Sequence, residues 1–107
     1  MKQFTGKTWW LGSEEYADAP VFHAIMSETR IAFDVSSNDY DYVVALAPAP
    51  AGPSWWTGAW RTKDGNRGFA SARQYDSADG GIALFGVWKE DGSEFTWITE
   101  LRPKPHK

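Results

Sequence analysis

Gly86-Val87-Trp88-Lys89-Glu90-Asp91-Gly92-Ser93-Glu94-Phe95-Thr96-Trp97-Ile98-Thr99-Glu100-Leu101 is the stretch that decides the fold. Two runs with side chains alternating in character flank an Asp-Gly pair, the residue pair that a type I′ hairpin turn requires because both central positions need positive φ. In the second run Phe95, Trp97, Thr99 and Leu101 share one parity, and Thr96, Ile98, Glu100 and Arg102 the other. A period of two in such a run means a strand with one face inward. The same unit occurs upstream. Gly58-Ala59-Trp60 precedes Lys63-Asp64-Gly65-Asn66 and a strand containing Phe69, with a loop one residue different in length. We read both Asp-Gly pairs as type I′ turns and the two units as an internal repeat.

Working outward, the chain breaks into about eight short runs: Gln3–Leu11, Val21–Ser27, Arg30–Val35, Asp41–Ala47, Trp55–Thr62, Arg67–Tyr75, Gly81–Lys89 and Glu94–Arg102. This pattern predicts an all-β fold, an antiparallel up-and-down meander barrel, with a two-sheet β-sandwich as the alternative. Helix is at most one turn at Ser13–Ala19 before Pro20. The 107 residues suit one domain, 1–107. The Pro-rich segment 47–53 reads as a long loop at one barrel mouth and 103–107 as a polar tail. Alternate connections of a meander emerge at opposite ends. The Pro-rich loop therefore sits with Ser27–Thr29 and Asp76–Gly80, while Gly12–Ala19, Ser36–Tyr40 and both Asp-Gly turns collect at the other end.

Composition narrows function by exclusion. With no cysteine there are no disulfides, thiol nucleophiles or thiolate metal sites. A net charge of −3 is the wrong sign for nucleic acid. The opening residues lack the apolar core of a signal peptide and no window reaches a membrane-spanning length, so a cytoplasmic location is the expectation. We expect no cofactor and no metal. The loop carboxylates Glu14, Glu15, Asp18, Asp39, Asp41, Asp64, Glu90 and Asp91 match no calcium-loop spacing, and we read them as solvated.

The stretch Leu84–Phe95, with Gly86-Val87-Trp88 running into Asp91-Gly92, resembles the Gly-x-Trp strand and turn of avidin-like and other calycin-like barrels. The resemblance implies an eight-stranded meander barrel with one open mouth for a small ligand. It does not carry over the ligand itself, because the ligand-contacting residues of those families have no counterparts here position by position.

Seven tryptophans in 107 residues supply more indole than a small core needs. Parity assigns Trp56, Gly58 and Trp60, then Ile82, Leu84, Gly86 and Trp88, to the interior, with Ile31, Phe33 and Val35 from the third run. A glycine at such positions lets an indole from the same or a neighbouring strand lie across the backbone. The sixth run is ambiguous: either Phe69, Ser71, Arg73 and Tyr75 face inward, or Gly68, Ala70, Ala72 and Gln74 do. An inward Arg73 would mark a site for an anionic or carbonyl group.

The leading expectation is a small apolar or aromatic ligand in a cavity lined by Trp10, Trp56, Trp60, Trp88 and Trp97, oriented by Thr8, Tyr42, Ser71 or Arg73. The alternatives are a barrel-type cyclase or isomerase and a protein-interaction or inhibitor module using Trp9, Trp55 and the Pro-rich loop. His23, the one histidine outside the tail, reads as structural rather than catalytic. The seventh run is apolar on both parities, so Ala83, Phe85 and Val87, with Ile98 beside them, point to a homo-oligomer, a homodimer above all, or to a cap formed by the N-terminal segment.

Overall fold

The computed structural model describes residues 2–11, 19–37, 41–50 and 52–104. Eight strands follow one another: β1 Lys2–Leu11, β2 Ala19–Met26, β3 Ile31–Ser36, β4 Asp41–Pro48, β5 Trp55–Thr62, β6 Arg67–Asp76, β7 Ile82–Glu90 and β8 Ser93–Pro103. Each pairs antiparallel with the next, and β1 pairs with β8 from Phe4 opposite Pro103 to Leu11 opposite Thr96, closing a barrel in simple up-and-down order. Closure excludes the sandwich. It also leaves no open sheet edge, which suits a chain whose strands are short and rich in aromatic residues.

The interior follows the alternation in the sequence. Ile31, Phe33 and Val35 of β3, Tyr42, Val44 and Leu46 of β4, and Trp97, Thr99 and Leu101 of β8 are all buried, with the residues that alternate with them on the outer side. In β6 the ambiguity resolves against the aromatic face. Ala70 and Ala72 are buried, whereas Phe69, Ser71, Arg73 and Tyr75 stand on the outer face. A barrel of eight strands is just wide enough for side chains to fill, and large indoles facing β6 leave room there only for small residues.

The two Asp-Gly turns are not copies. At Asp91-Gly92 both residues have positive φ (51° and 80°) and Glu90 pairs directly with Ser93, a two-residue type I′ hairpin. At the first turn only Gly65 has positive φ, and the loop is closed by Gly65 N–H donating to Thr62 O and Thr62 N–H to Asn66 O. It is a three-residue loop, not the type I′ turn expected. The extra residue shifts the parity of the strand that follows. Phe95 points to the core whereas Phe69 points outward, and Gly68 takes the inward place opposite Trp60.

That place is essential to the packing. A Cβ on Gly68 would lie 2.5 Å from Trp60 Cζ2 and would overlap Lys89 O. The Trp60 indole therefore crosses β6 at Gly68 and donates its N–H to Lys89 O on β7 at 3.0 Å. Trp97 repeats the device from the other side. It lies opposite Gly86 of β7 and its N–H reaches Ser71 O on β6 at 2.9 Å and Val87 O at 3.1 Å. A Cβ on Gly86 would overlap Ser71 O.

β2 carries a bulge that explains its mixed pattern. Val21 and Ala24 are both buried although three residues apart, because His23 at φ 55° puts Phe22 and itself outside together and shifts the register. His23 is consequently a surface residue, paired with Asp34 at 2.9 Å.

Of the Pro-rich stretch expected to be a loop from residue 47, Ala47 and Pro48 instead end β4 opposite Thr57 and Trp56, and beyond them Ala49 N–H donates to Trp55 O. Pro103, assigned to the tail from sequence, instead ends β8 opposite Phe4. The possible helical turn at 13–19 falls almost wholly outside the described residues, as do Glu14, Glu15, Asp18 and Asp39.

Between β6 and β7, Asp79 accepts hydrogen bonds from Ser77 Oγ and Gly81 N–H, which hold its carboxyl below the ordinary value of 3.8. A lowered folded-state pKa stabilises the protein above the unfolded value, and the gain disappears as pH falls through the folded one. Asp79→Asn is therefore expected to lower the melting temperature at pH 7 and to match the wild type at about pH 2, read by thermal scans across that range. Gly68→Ala is expected to cost about 3 kcal/mol in urea unfolding, since Trp60 must leave both its stack and its acceptor.

Candidate functional site

A closed barrel has spent its strand N–H and C=O groups on the ladders, so every polar side-chain atom turned inward needs a partner inside. Indole N–H groups are the main claimants. Trp56 donates to Gln74 Oε1 at 2.9 Å, Trp88 to Glu90 Oε1 at 2.8 Å, and Trp60 and Trp97 to carbonyls across the glycines described above. At mid-barrel, Thr8 and Thr99, both fully buried, satisfy one another at 2.5 Å.

Among the described residues, two buried polar side-chain atoms stay without a partner: Trp10 Nε1 and Thr62 Oγ1. Both lie at the end of the barrel that carries the Asp-Gly turns. Thr62 is opposite Tyr42 in the β4–β5 ladder, and the Trp10 ring lies 5.7 Å from that of Tyr42. Around them Trp60 stacks parallel on Trp88 at 5.3 Å, and Tyr42 meets both rings edge-on at 5.2 Å. Trp10 also meets Trp88 edge-on at 5.3 Å. Offset and edge-to-face contacts of this kind are worth about 1 kcal/mol each beyond the burial of area. The cluster is therefore rigid at its base. Tyr42, Trp60 and Trp88 are buried, and Trp10, on the rim, is the partly exposed member.

One carboxylate completes the site. Glu90 receives the Tyr42 hydroxyl at 3.0 and 3.1 Å and the Trp88 N–H, so its oxygens are held over the aromatic floor. The sequence reading placed Glu90 among solvated loop acids. The structure corrects this, because Glu90 lies two residues beyond Trp88 and inherits its inward parity. Thr62 was missed on the same ground, being two residues beyond Trp60. Extending each strand's parity by one step would have found both.

Of the expected ligand-binding residues, Trp10, Tyr42, Trp60 and Trp88 come together here, and Trp97 adjoins them 5.6 Å from Trp88. Trp56 is buried towards the other end of the barrel, beside Gln74. Ser71 and Arg73 do not enter the interior at all: Arg73 lies outside over the rings of Trp55 and Tyr75, at 5.9 and 5.3 Å. Thr8 is committed to Thr99.

Trp88 and Trp97 have no exposed surface, so the indoles fill the middle of the barrel rather than line a void. A concavity of about 300 Å³ lies on the outer side of β2–β4 near the Asp-Gly end and touches the cluster only at Tyr42. Its other walls include Phe22, His23, Asp34 and Lys63. Among the described residues, no group of three or more metal-ligating side chains gathers, and no helix is long and apolar enough to cross a membrane. No family model, curated protein or solved structure matches the chain.

The orphaned and the satisfied hydroxyls make opposite forecasts. Thr62→Val removes a buried group that has no partner and is expected to stabilise the protein by about 1 kcal/mol, whereas Thr99→Val orphans Thr8 and is expected to cost about 2 kcal/mol, both read by urea unfolding.

Proposed function

We propose that the protein binds a small apolar or aromatic molecule bearing a hydrogen-bonding head group at the Asp-Gly end of the barrel. The observation that carries this reading is the pair of buried, unpartnered atoms, Trp10 Nε1 and Thr62 Oγ1, set against a carboxylate already held by Tyr42 and Trp88. A buried donor without a partner costs about 1–3 kcal/mol in the free protein, a cost that a ligand recovers by supplying the acceptor. Trp10 Nε1 can only donate, so the head group must present an oxygen or nitrogen acceptor such as a carbonyl. Thr62 Oγ1 accommodates either a donor or an acceptor. Glu90 favours a donor on the same head group.

The apolar part of the ligand lies against Tyr42 at the rim, in the concavity that Tyr42 shares with Phe22 and Val43. Its volume is at the lower end of the range for small-molecule sites, which limits the ligand to a few fused or linked rings at most. The eight-stranded meander is the architecture that calycin-like and avidin-like binders use, with the ligand entering at one mouth, and this supports the reading without identifying the ligand.

The test is a tryptophan-fluorescence titration with a library of small aromatic and aliphatic carbonyl compounds. A saturable change is expected for some member, and Trp10→Phe should weaken its Kd about tenfold by deleting the donor, with Trp56→Phe neutral. An absence of saturable response across the library, or equal binding by Trp10→Phe, would reject the reading.

A further inference from the structure

We propose that the outer face of β6, β7 and β8 is the interface of a symmetric dimer of this chain. The face is built by one row of the barrel's register: Trp55 of β5, Arg73 of β6, Phe85 of β7, Ile98 of β8 and Trp9 of β1 are successive partners across five strands. Beside that row lie Val87 and Tyr75. Phe85 is 46% exposed, Tyr75 50% and Val87 37%. Single exposed apolar residues need no explanation, but a contiguous row of them on strands whose inner faces already form the core does.

The N-terminal segment does not cover this face. It is β1, hydrogen-bonded edge to edge between β8 and β2, with its own outer residue Trp9 extending the row. A second copy is the occupant for two further reasons. The first is area. Taking about 200 Å² per aromatic side chain, the exposed parts of Trp55, Tyr75 and Phe85 alone come to about 270 Å², to which Val87, Trp9, Ile98 and the polar side chains between them add towards the roughly 800 Å² per partner of a standard interface.

The second is charge. Arg73 lies on one side of β7 and Glu100 on the other, with Glu100 one row along, about 7 Å from the row of Phe85. A twofold axis running along β7 lays β6 of one copy over β8 of the other. Arg73 then reaches Glu100 of the second copy, twice by symmetry, on either side of facing Phe85 side chains. Trp55 and Tyr75 hold the Arg73 guanidinium against the sheet and so limit the freedom it would lose on pairing. Aligned packing of two such sheets places their faces about 10 Å apart, a gap that phenylalanine and arginine side chains fill.

The dimer is independent of the ligand site, which lies at the barrel end, and sedimentation equilibrium on the full chain tests it without any ligand. The wild type is expected to be dimeric at about 50 µM, since an interface of this size supports a Kd in the micromolar range or below. Phe85→Asp is expected to be monomeric with an unchanged near-ultraviolet tryptophan spectrum, its side chain being outside the core. Arg73→Glu should weaken the dimer about tenfold or more, and Arg73→Glu combined with Glu100→Arg should bring it back to within about threefold of the wild type. A wild type that stays monomeric at about 500 µM, a dimer that survives Phe85→Asp, or a double variant no tighter than Arg73→Glu alone overturns the proposal.

Discussion

The structure depends on the hydrogen-bonding demand of indoles enclosed in a barrel. Each inward tryptophan brings a large apolar ring, which fills the interior, and one N–H, which must find an acceptor where the backbone is already paired. Trp60 and Trp97 solve this by reaching over a strand to a carbonyl on the strand beyond; Trp60 has room because Gly68 presents no side chain at the crossing, and Trp97 lies opposite Gly86, whose missing side chain lets β7 lie close against Ser71 of β6. Because Trp60 lies flat across Gly68 it can stack on Trp88, and that stack in turn fixes Tyr42 and the carboxylate of Glu90. Two glycines thus set the positions of most of the aromatic cluster.

Where the demand is unmet, the barrel changes character. Towards one end the Trp56 N–H is satisfied by Gln74. At the other, Trp10 Nε1 and Thr62 Oγ1 are buried without partners, beside a carboxylate aligned by two donors. Local rules are usually obeyed everywhere in a small domain except at the place that does something, and the violation here is concentrated within one residue cluster. The outer face presents the reverse case, an apolar row where water would favour polar side chains. Inner and outer surfaces of β7 are both apolar, so this strand connects the buried cluster to the exposed row.

Much of this was legible in particular residues. The alternation in β8 assigned Trp97, Thr99 and Leu101 to the core, and the same rule assigned Trp56, Trp60, Trp88 and the β3 residues, because side-chain direction along a strand has a period of two whatever surrounds it. The strand limits were also readable to within about two residues, since Gly, Pro and Asp-Gly pairs punctuate them. β6 was not legible. Its two parities are both plausible as a core face, and the choice rests on the length of the preceding loop, where a single extra residue puts Gly68 rather than Phe69 inside. β2 failed to show its bulge for a similar reason: one residue at positive φ reverses the alternation without any glycine to announce it.

By itself, then, the sequence determined the class of fold, the number of strands and the inward set in four of them, because those follow from local backbone geometry and from turn chemistry. Only the tertiary structure decided that the sheet closes, which indole crosses which glycine, that Arg73 and Ser71 stand outside, and that Trp10, Thr62 and Glu90 converge at one rim. These are relations between strands far apart in the chain. They depend on register and on ring orientation, which no pattern along a single strand encodes.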